Sequence, residues 1–215
     1  KSDALVGASG SGKTTIAKLI SGFYNVNDGE IKIGGENITS YSKEALINEI
    51  SFVFQDSKLF KTTIYENVAL ANKDASRKEV FEAMRLAGVD GIIAKFKDRE
   101  NTVIGSKGVY LSGGEKQRVA IARAILKDAK IVIFDEASAA IDPDNEHELQ
   151  KAFSNLMKEK TVIMIAHRLT SIRNVDEILV MENGKIIERG SDRELMKKDS
   201  VYKHFQDTYK TANDW

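Results

Sequence analysis

The chain has 215 residues, no cysteine, and 32 lysines and arginines against 32 aspartates and glutamates, for zero net charge. That length allows one domain, or one domain with an inserted subdomain, built on a sizeable core. The charge balance gives no reason to expect a nucleic-acid partner, and the missing thiols exclude disulfides and thiolate metal sites and fit a reducing compartment. The purely apolar runs, such as 131–134 and 162–166, fall far short of the ~20 residues that cross a bilayer, and no signal peptide is visible, so the chain reads as water-soluble.

A short apolar run, Ala4-Leu5-Val6, predicts a strand. Gly7-Ala8-Ser9-Gly10-Ser11-Gly12-Lys13-Thr14 follows, then Thr15, and fits G-x-x-x-x-G-K-[ST], the phosphate-binding loop. Ile16, Leu19, Ile20 and Phe23 then recur at helical spacing, with Gly22 placed to end the helix. Glycines let successive N–H groups point into one concavity, and the helix start adds unpaired donors. Lys13 supplies a compact cation for the β- and γ-phosphates, and the Thr14 hydroxyl is a Mg²⁺ ligand. A strand-loop-helix unit seldom opens a domain with so little chain before it, so further sequence is expected upstream.

Asn27-Asp28-Gly29 and Gly34-Gly35 read as turns around an alternating strand at Ile31 and Ile33. A short helix is expected from Ser42, and a short strand over 51–54 that ends at Gln55, a residue that says little by itself. Ser76 and Glu79 form a capping box before Val80, Phe81, Met84 and Ala87 on one helix face. Residues 56–125 read as a helical insert between core segments 1–55 and 126–215.

Within Leu111-Ser112-Gly113-Gly114-Glu115-Lys116-Gln117, Ser112 and Glu115 fit another capping box, opening a helix through Leu126. Capping does not explain two glycines in a first turn, where helix propensity is lost. Exposed glycine N–H groups at a helix start suit a second phosphate. Two phosphate-suited loops with one P-loop suggest sites shared between two chains.

Residues 131–134 predict a buried parallel strand ending in Asp135-Glu136. Carboxylates there are costly unless they meet a cation or a proton-transfer task; Mg²⁺ for Asp135 and water activation for Glu136 satisfy both, and simple solvation is the alternative. Asp142 reads as an N-cap with Pro143, the only proline, at the first helical position. A strand over 161–166 ends at His167, whose place at the same sheet edge favours a phosphate contact. An alternating strand to Met181, an Asn183-Gly184 hairpin turn and a return over 185–188 follow. Ser191 and Glu194 are expected to cap a last helix, with no chemistry beyond Tyr202.

Taken together these residues resemble the nucleotide-binding domain of ABC transporters, over essentially the whole chain. GASGSGKTT is similar to that family's Walker A motif, Gln55 to its Q-loop glutamine, LSGGEKQ to its signature, and IVIFDE to Walker B. Ala139-Ala140-Ile141-Asp142 falls at the D-loop and His167 at the switch histidine. Gln55-Asp56 with Leu59-Phe60, Thr63-Ile64 and Glu66-Asn67, and Ile165-Ala166-His167-Arg168-Leu169, resemble exporter-type members. Ser106 stands where exporters usually carry glutamate, and Ala139 where the D-loop usually has serine.

The resemblance implies an α/β fold: a RecA-like P-loop NTPase core, with a parallel sheet flanked by helices, an inserted α-helical subdomain and a truncated N-terminal antiparallel β part. The aromatic residue that stacks on adenine lies upstream of Walker A in the family, which implies low nucleotide affinity for this chain. Ser9, Gly10, Ser11, Gly12, Lys13, Thr14 and Thr15 would hold ATP, with Thr14 and Gln55 on Mg²⁺ and Asp135 supporting the ion through water. Glu136 would be the general base, His167 would brace the γ-phosphate, and Ser112, Gly113, Gly114 and Glu115 would close on ATP bound to a second such domain, identical or not. Implied partners are that domain and transmembrane domains fused upstream of Lys1, at the cytoplasmic face of a membrane, where an intact Glu136 and His167 would make hydrolysis drive export. A DNA-repair ATPase head would need long coiled coils between Lys13 and Ser112, which are 99 positions apart (112 − 13). A translation-associated ABC protein would carry two such domains in tandem.

Overall fold

The computed structural model describes all residues except 55–56, 106–107, 137–142, 167–171, 173–174, 198 and 214–215, and excludes the side chains of 136, 143–145 and 209–213. In chain order its elements are β1 (Ser2–Val6), α1 (Lys13–Ile20), β2 (Lys32–Ile33), β3 (Glu36–Asn37), α2 (Lys43–Glu49) and β4 (Ile50–Val53). Next come α3 (Ile64–Ala69), α4 (Arg77–Leu86), α5 (Val89–Ile93), α6 (Gly113–Lys127), β5 (Ile131–Glu136) and α7 (Pro143–Met157). The last are β6 (Thr161–Ala166), β7 (Glu177–Glu182), β8 (Lys185–Gly190), α8 (Asp192–Met196) and α9 (Val201–Asn213).

Six strands share one sheet in the order β4-β5-β6-β1-β7-β8. β1 runs parallel to both neighbours, with Leu5 opposite Ile165 on β6 and Leu179 on β7. A strand paired on both edges and covered on both faces is apolar without alternation, and Ala4, Leu5 and Val6 are all buried. Burying Leu5 or Val6 contributes about 1.5–3 kcal/mol each. β8 returns antiparallel to β7 through Asn183 and Gly184, with φ +49° and +76°, the left-handed pair that a tight hairpin turn demands. The α/β class with a largely parallel sheet expected from the sequence is the class found.

Two compact units are separable. One comprises Lys1–Ile50, Ile133–Ser138 and Lys160–Trp215. In it α1 closes where Gly22 takes φ +71° and Phe23 N–H donates to the Lys18 carbonyl at 2.9 Å, a left-handed C-terminal close. Phe23, placed by its spacing on the apolar face of that helix, lies past the turn and is 62% exposed. The alternating strand around Ile31 and Ile33 shortens to Lys32–Ile33, paired antiparallel with β3 in a two-stranded sheet. The Ser191–Glu194 capping box forms, but it opens the five-residue α8 instead of the last helix. The last helix is α9, started by Ser200, whose hydroxyl accepts Lys203 N–H at 3.0 Å, and by Glu188, whose carboxylate accepts Val201 and Tyr202 N–H at 2.8 and 3.1 Å. A carboxylate supplied from another element leaves no local sequence signature. Tyr202 is fully buried because its hydroxyl bonds to Asp192 at 2.6 Å and accepts from Gln206 at 2.7 Å.

The other unit comprises Ser51–Val132 and Ala139–Glu159. Its axis is α6, which packs against α3, α4, α5 and α7 and fully buries Val119, Ile121 and Ala122. Thr63–Glu66, Ser76–Glu79 and Ser112–Glu115 form reciprocal capping boxes on α3, α4 and α6, each satisfying two backbone donors that a helix start leaves unpaired. Asn155 on α7 donates to the Leu86 carbonyl at 2.8 Å, pinning the end of α4.

Candidate active site

The phosphate loop leaves β1 at Gly7. A Cβ there would lie 2.2 Å from the Met181 carbonyl oxygen of β7, so only glycine lets the chain turn away beside its neighbour strand. Ser11 N–H closes a turn onto the Ala8 carbonyl at 3.2 Å, and the Ser11 carbonyl accepts Gly184 N–H at 3.0 Å. The β7–β8 turn therefore braces the loop, a role beyond the hairpin that Asn183-Gly184 announces in the sequence.

Gly12 is the N-cap of α1 at φ +104° and offers no side-chain acceptor. The first intrahelical bond is Ile16 N–H to the Gly12 carbonyl at 3.0 Å. The first-turn N–H groups at Lys13, Thr14 and Thr15 therefore lack intrahelical acceptors, at the positive end of the helix dipole. A helix opened by glycine and not by Ser or Asp keeps these donors for an anion.

The Lys13 side chain is buried. Its Nζ donates to the Gly7 carbonyl at 2.7 Å, the Ala8 carbonyl at 2.9 Å and Ser11 Oγ at 3.3 Å. Burial pushes its pKa below the usual lysine range, and the charge of Asp135, half-buried on β5, partly opposes that shift. Neutral carbonyls hold the ammonium in place without neutralising it, and a phosphate would do both.

Ser9, Gly10, Thr14 and Thr15 are exposed around this lysine, Gly12 is half-buried and Ser11 is buried. Among the described residues no group of three or more His, Cys, Asp or Glu could hold a metal ion. The Thr14 hydroxyl and the Asp135 carboxylate suit Mg²⁺, which is bound through one or two protein ligands plus water and phosphate oxygens. Glu136 is the final residue of β5, with its side chain outside the description. Gln55, Asp142 and His167 lie outside the described residues.

At the start of α6, Ser112 Oγ accepts Glu115 N–H at 3.3 Å, while the Glu115 carboxylate accepts Ser112 N–H at 2.9 Å and Lys95 Nζ at 2.9 Å. Gly114 is buried, but Gly113 is exposed and a Cβ there would meet nothing within 4 Å. Gly113 also has no positive φ, so neither sterics nor conformation requires glycine at this position. Burial alone would raise the Glu115 pKa, yet the hydrogen bonds from Lys95 and Ser112 outweigh it and hold the carboxyl below its ordinary value. A depressed folded pKa gives stability that is present above the unfolded glutamate value of about 4.3 and lost as pH falls through the lower folded value. The drop in unfolding free energy from neutral pH to below pH ~4, measured by denaturant titration followed by circular dichroism, should therefore be larger in wild type than in Glu115→Gln.

The sequence marks Asn67 only as part of the exporter-like segment, and gives no sign of Arg123 or of the pairing between them. Asn67 is fully buried, and Arg123 donates through Nε to the Asn67 carbonyl at 2.6 Å and through Nη1 to the Lys58 carbonyl at 3.0 Å. An asparagine and an arginine far apart in sequence carry no local signal of such a pairing.

Comparison with known proteins agrees with this geometry. Residues 2–139 match the family described as ABC transporter. The putative multidrug export ATP-binding/permease protein YgaD of Bacillus subtilis is 45% identical over 201 residues, covering 94% of this chain and 35% of its own. The ATP-dependent lipid A-core flippase of Haemophilus ducreyi is 48% identical over 204 residues, again 94% of this chain and 35% of its own. The structure of a bacterial Atm1-family ABC exporter with ATP bound superposes with a TM-score of 0.88 at 40% identity, over 96% of this chain and 36% of that one. The chain thus spans about a third of the length of these relatives. With a family match over most of its length, an uncapped phosphate loop and a carboxylate pair ending β5, the chain belongs to the ABC transporter family, as an ATPase domain.

Proposed function

We propose that two such domains pack head to tail and hydrolyse ATP at two shared sites, powering export through transmembrane domains at the cytoplasmic face of a membrane. The observation that carries this reading is the start of α1: an uncapped first turn on left-handed glycines, with Lys13 Nζ held at the loop by its own carbonyls. Residues Ser9, Gly10, Ser11, Gly12, Lys13, Thr14 and Thr15 bind the triphosphate. Thr14 and Gln55 would hold Mg²⁺, with Asp135 supporting it through water, and the ion would supply positive charge to the phosphates when bound. Glu136 takes a proton from the attacking water, and His167 positions the γ-phosphate. Ser112, Gly113, Gly114 and Glu115 serve the nucleotide on the opposite chain, and Asp142 falls where the family has its D-loop.

The relatives' roles, multidrug export and lipid A-core flipping, support a drug-like or lipid cargo for the transport that this domain powers. Among the described residues no helix is long and apolar enough to cross a membrane. Because each site needs two chains, ATPase activity per chain should rise with chain concentration and plateau as the dimer forms. A specific activity that is flat across dilution into the monomeric range contradicts shared sites.

A further inference from the structure

The start of α6 differs from the other capping boxes among the described residues in what holds its glutamate. At Ser76–Glu79 and Ser191–Glu194 the serine hydroxyl donates to the carboxylate, at 2.6 and 2.8 Å. At Thr63–Glu66 the hydroxyl of Thr62 takes that place. At Ser112–Glu115 an ammonium takes it: Oε1 accepts Lys95 Nζ at 2.9 Å, while Oε2 accepts Ser112 N–H at 2.9 Å. Lys95 follows α5, whose Ile92 and Ile93 are buried, and its N–H closes onto the Ile92 carbonyl at 3.1 Å. Its backbone is thereby fixed while its side chain reaches across to α6. The electrostatics match the geometry. The Ser76 hydroxyl leads the groups that hold Glu79 below its ordinary pKa. At Glu115 burial pushes upward, Lys95 leads the groups that pull downward, and the Ser112 hydroxyl contributes least.

Closing the helix start does not require Lys95. The boxes on α4 and α8 form from serine and glutamate alone, and an ion pair whose lysine is 60% exposed stabilises little. What the pair changes is the hydroxyl. A serine hydroxyl has one proton to donate, and in the α4 and α8 boxes that proton is turned to the glutamate. Ser112 is exposed and its Oγ accepts Glu115 N–H; with the carboxylate held by Lys95, its proton stays available to an acceptor beyond the chain. We propose that Lys95 is a positioning residue that, by holding Glu115, keeps the Ser112 hydroxyl ready to donate to a phosphate oxygen of the nucleotide on the second chain. This rests on the reading of 112–115 as the segment that serves that nucleotide.

The test uses the 215-residue chain with Mg²⁺ and a saturating non-hydrolysable ATP analogue, with dimer formation followed by sedimentation velocity, so that no turnover is needed. Ser112→Gly removes the hydroxyl at a position where a helix start tolerates glycine. It should weaken the dimer by at least about 10-fold, as a hydrogen bond to a charged group is lost at each of two sites. Lys95→Met keeps the apolar stem and releases Glu115 to draw in the hydroxyl, and should weaken the dimer comparably. Lys95→Arg keeps a donor for Glu115 and should dimerise like wild type. Adding Lys95→Met to Ser112→Gly should cost nothing further, because both remove the same bond. Thermal unfolding of every variant should stay within about 4 °C of wild type. If Ser112→Gly weakens the dimer while Lys95→Met leaves it unchanged, or if the two losses add in the double variant, the inference is overturned and the shared site stands. If Ser112→Gly dimerises like wild type, the reading of 112–115 is overturned, and the inference with it.

Discussion

Glu136→Gln should slow ATP hydrolysis by about 10²–10⁴-fold, the usual worth of a positioned general base, while ATP still binds. Glu136 ends β5, one residue beyond the Asp135 whose charge acts on Lys13. Glutamine keeps the shape and an acceptor oxygen but takes no proton at neutral pH. The loop donors and Lys13 are untouched, so the triphosphate keeps its contacts and the closed dimer accumulates. Single-turnover hydrolysis, equilibrium ATP binding and light scattering on one preparation read all three effects. Undiminished turnover removes Glu136 from the role of base; lost binding shows that its charge serves the ground state.

Gly113→Asp should separate structure from chemistry at the start of α6. The added Cβ meets no atom within 4 Å, and an aspartate in a first helical turn favours the helix by about 0.3–1 kcal/mol through its dipole. If capping were all this segment did, the variant would be as stable and as active as wild type. If the Gly113 N–H faces the phosphate of a second chain, the new carboxylate repels it, and hydrolysis should fall by about 10²–10³-fold, as when a donor to a developing oxyanion is lost. Thermal unfolding with steady-state ATPase checks this pair: equal or raised stability with lost activity supports the shared site, and unchanged activity rejects it.

Much of this was legible in the sequence, for a physical reason in each case. Strands buried on both faces, such as Ala4-Leu5-Val6 and 131–134, announce themselves as unbroken apolar runs, and the capping boxes at Ser76 and Ser112 are contained within four residues. The phosphate loop is legible because its glycines are required locally, by φ at Gly10 and Gly12 and by the Met181 carbonyl at Gly7. What escaped is long-range. The carboxylate of Glu188 starts α9 from another element, Gly184 braces Ser11, and Arg123 reaches Lys58 and Asn67 across more than fifty positions. Phe23 shows the reverse error: its spacing fits the helix, but Gly22 ends that helix first.

In the proposed dimer one chain supplies the phosphate loop and another the Gly113 segment of each site. Lys13→Ala disables the first and Gly113→Asp the second, so each variant alone should be nearly inactive. Mixed in equal amounts and allowed to exchange, half of the dimers would be hybrids with one intact site of two, and the ATPase rate should recover to about a quarter of wild type. Activity that stays at the sum of the two single variants, or a monomeric Gly113→Asp chain turning over at the wild-type rate, contradicts the account.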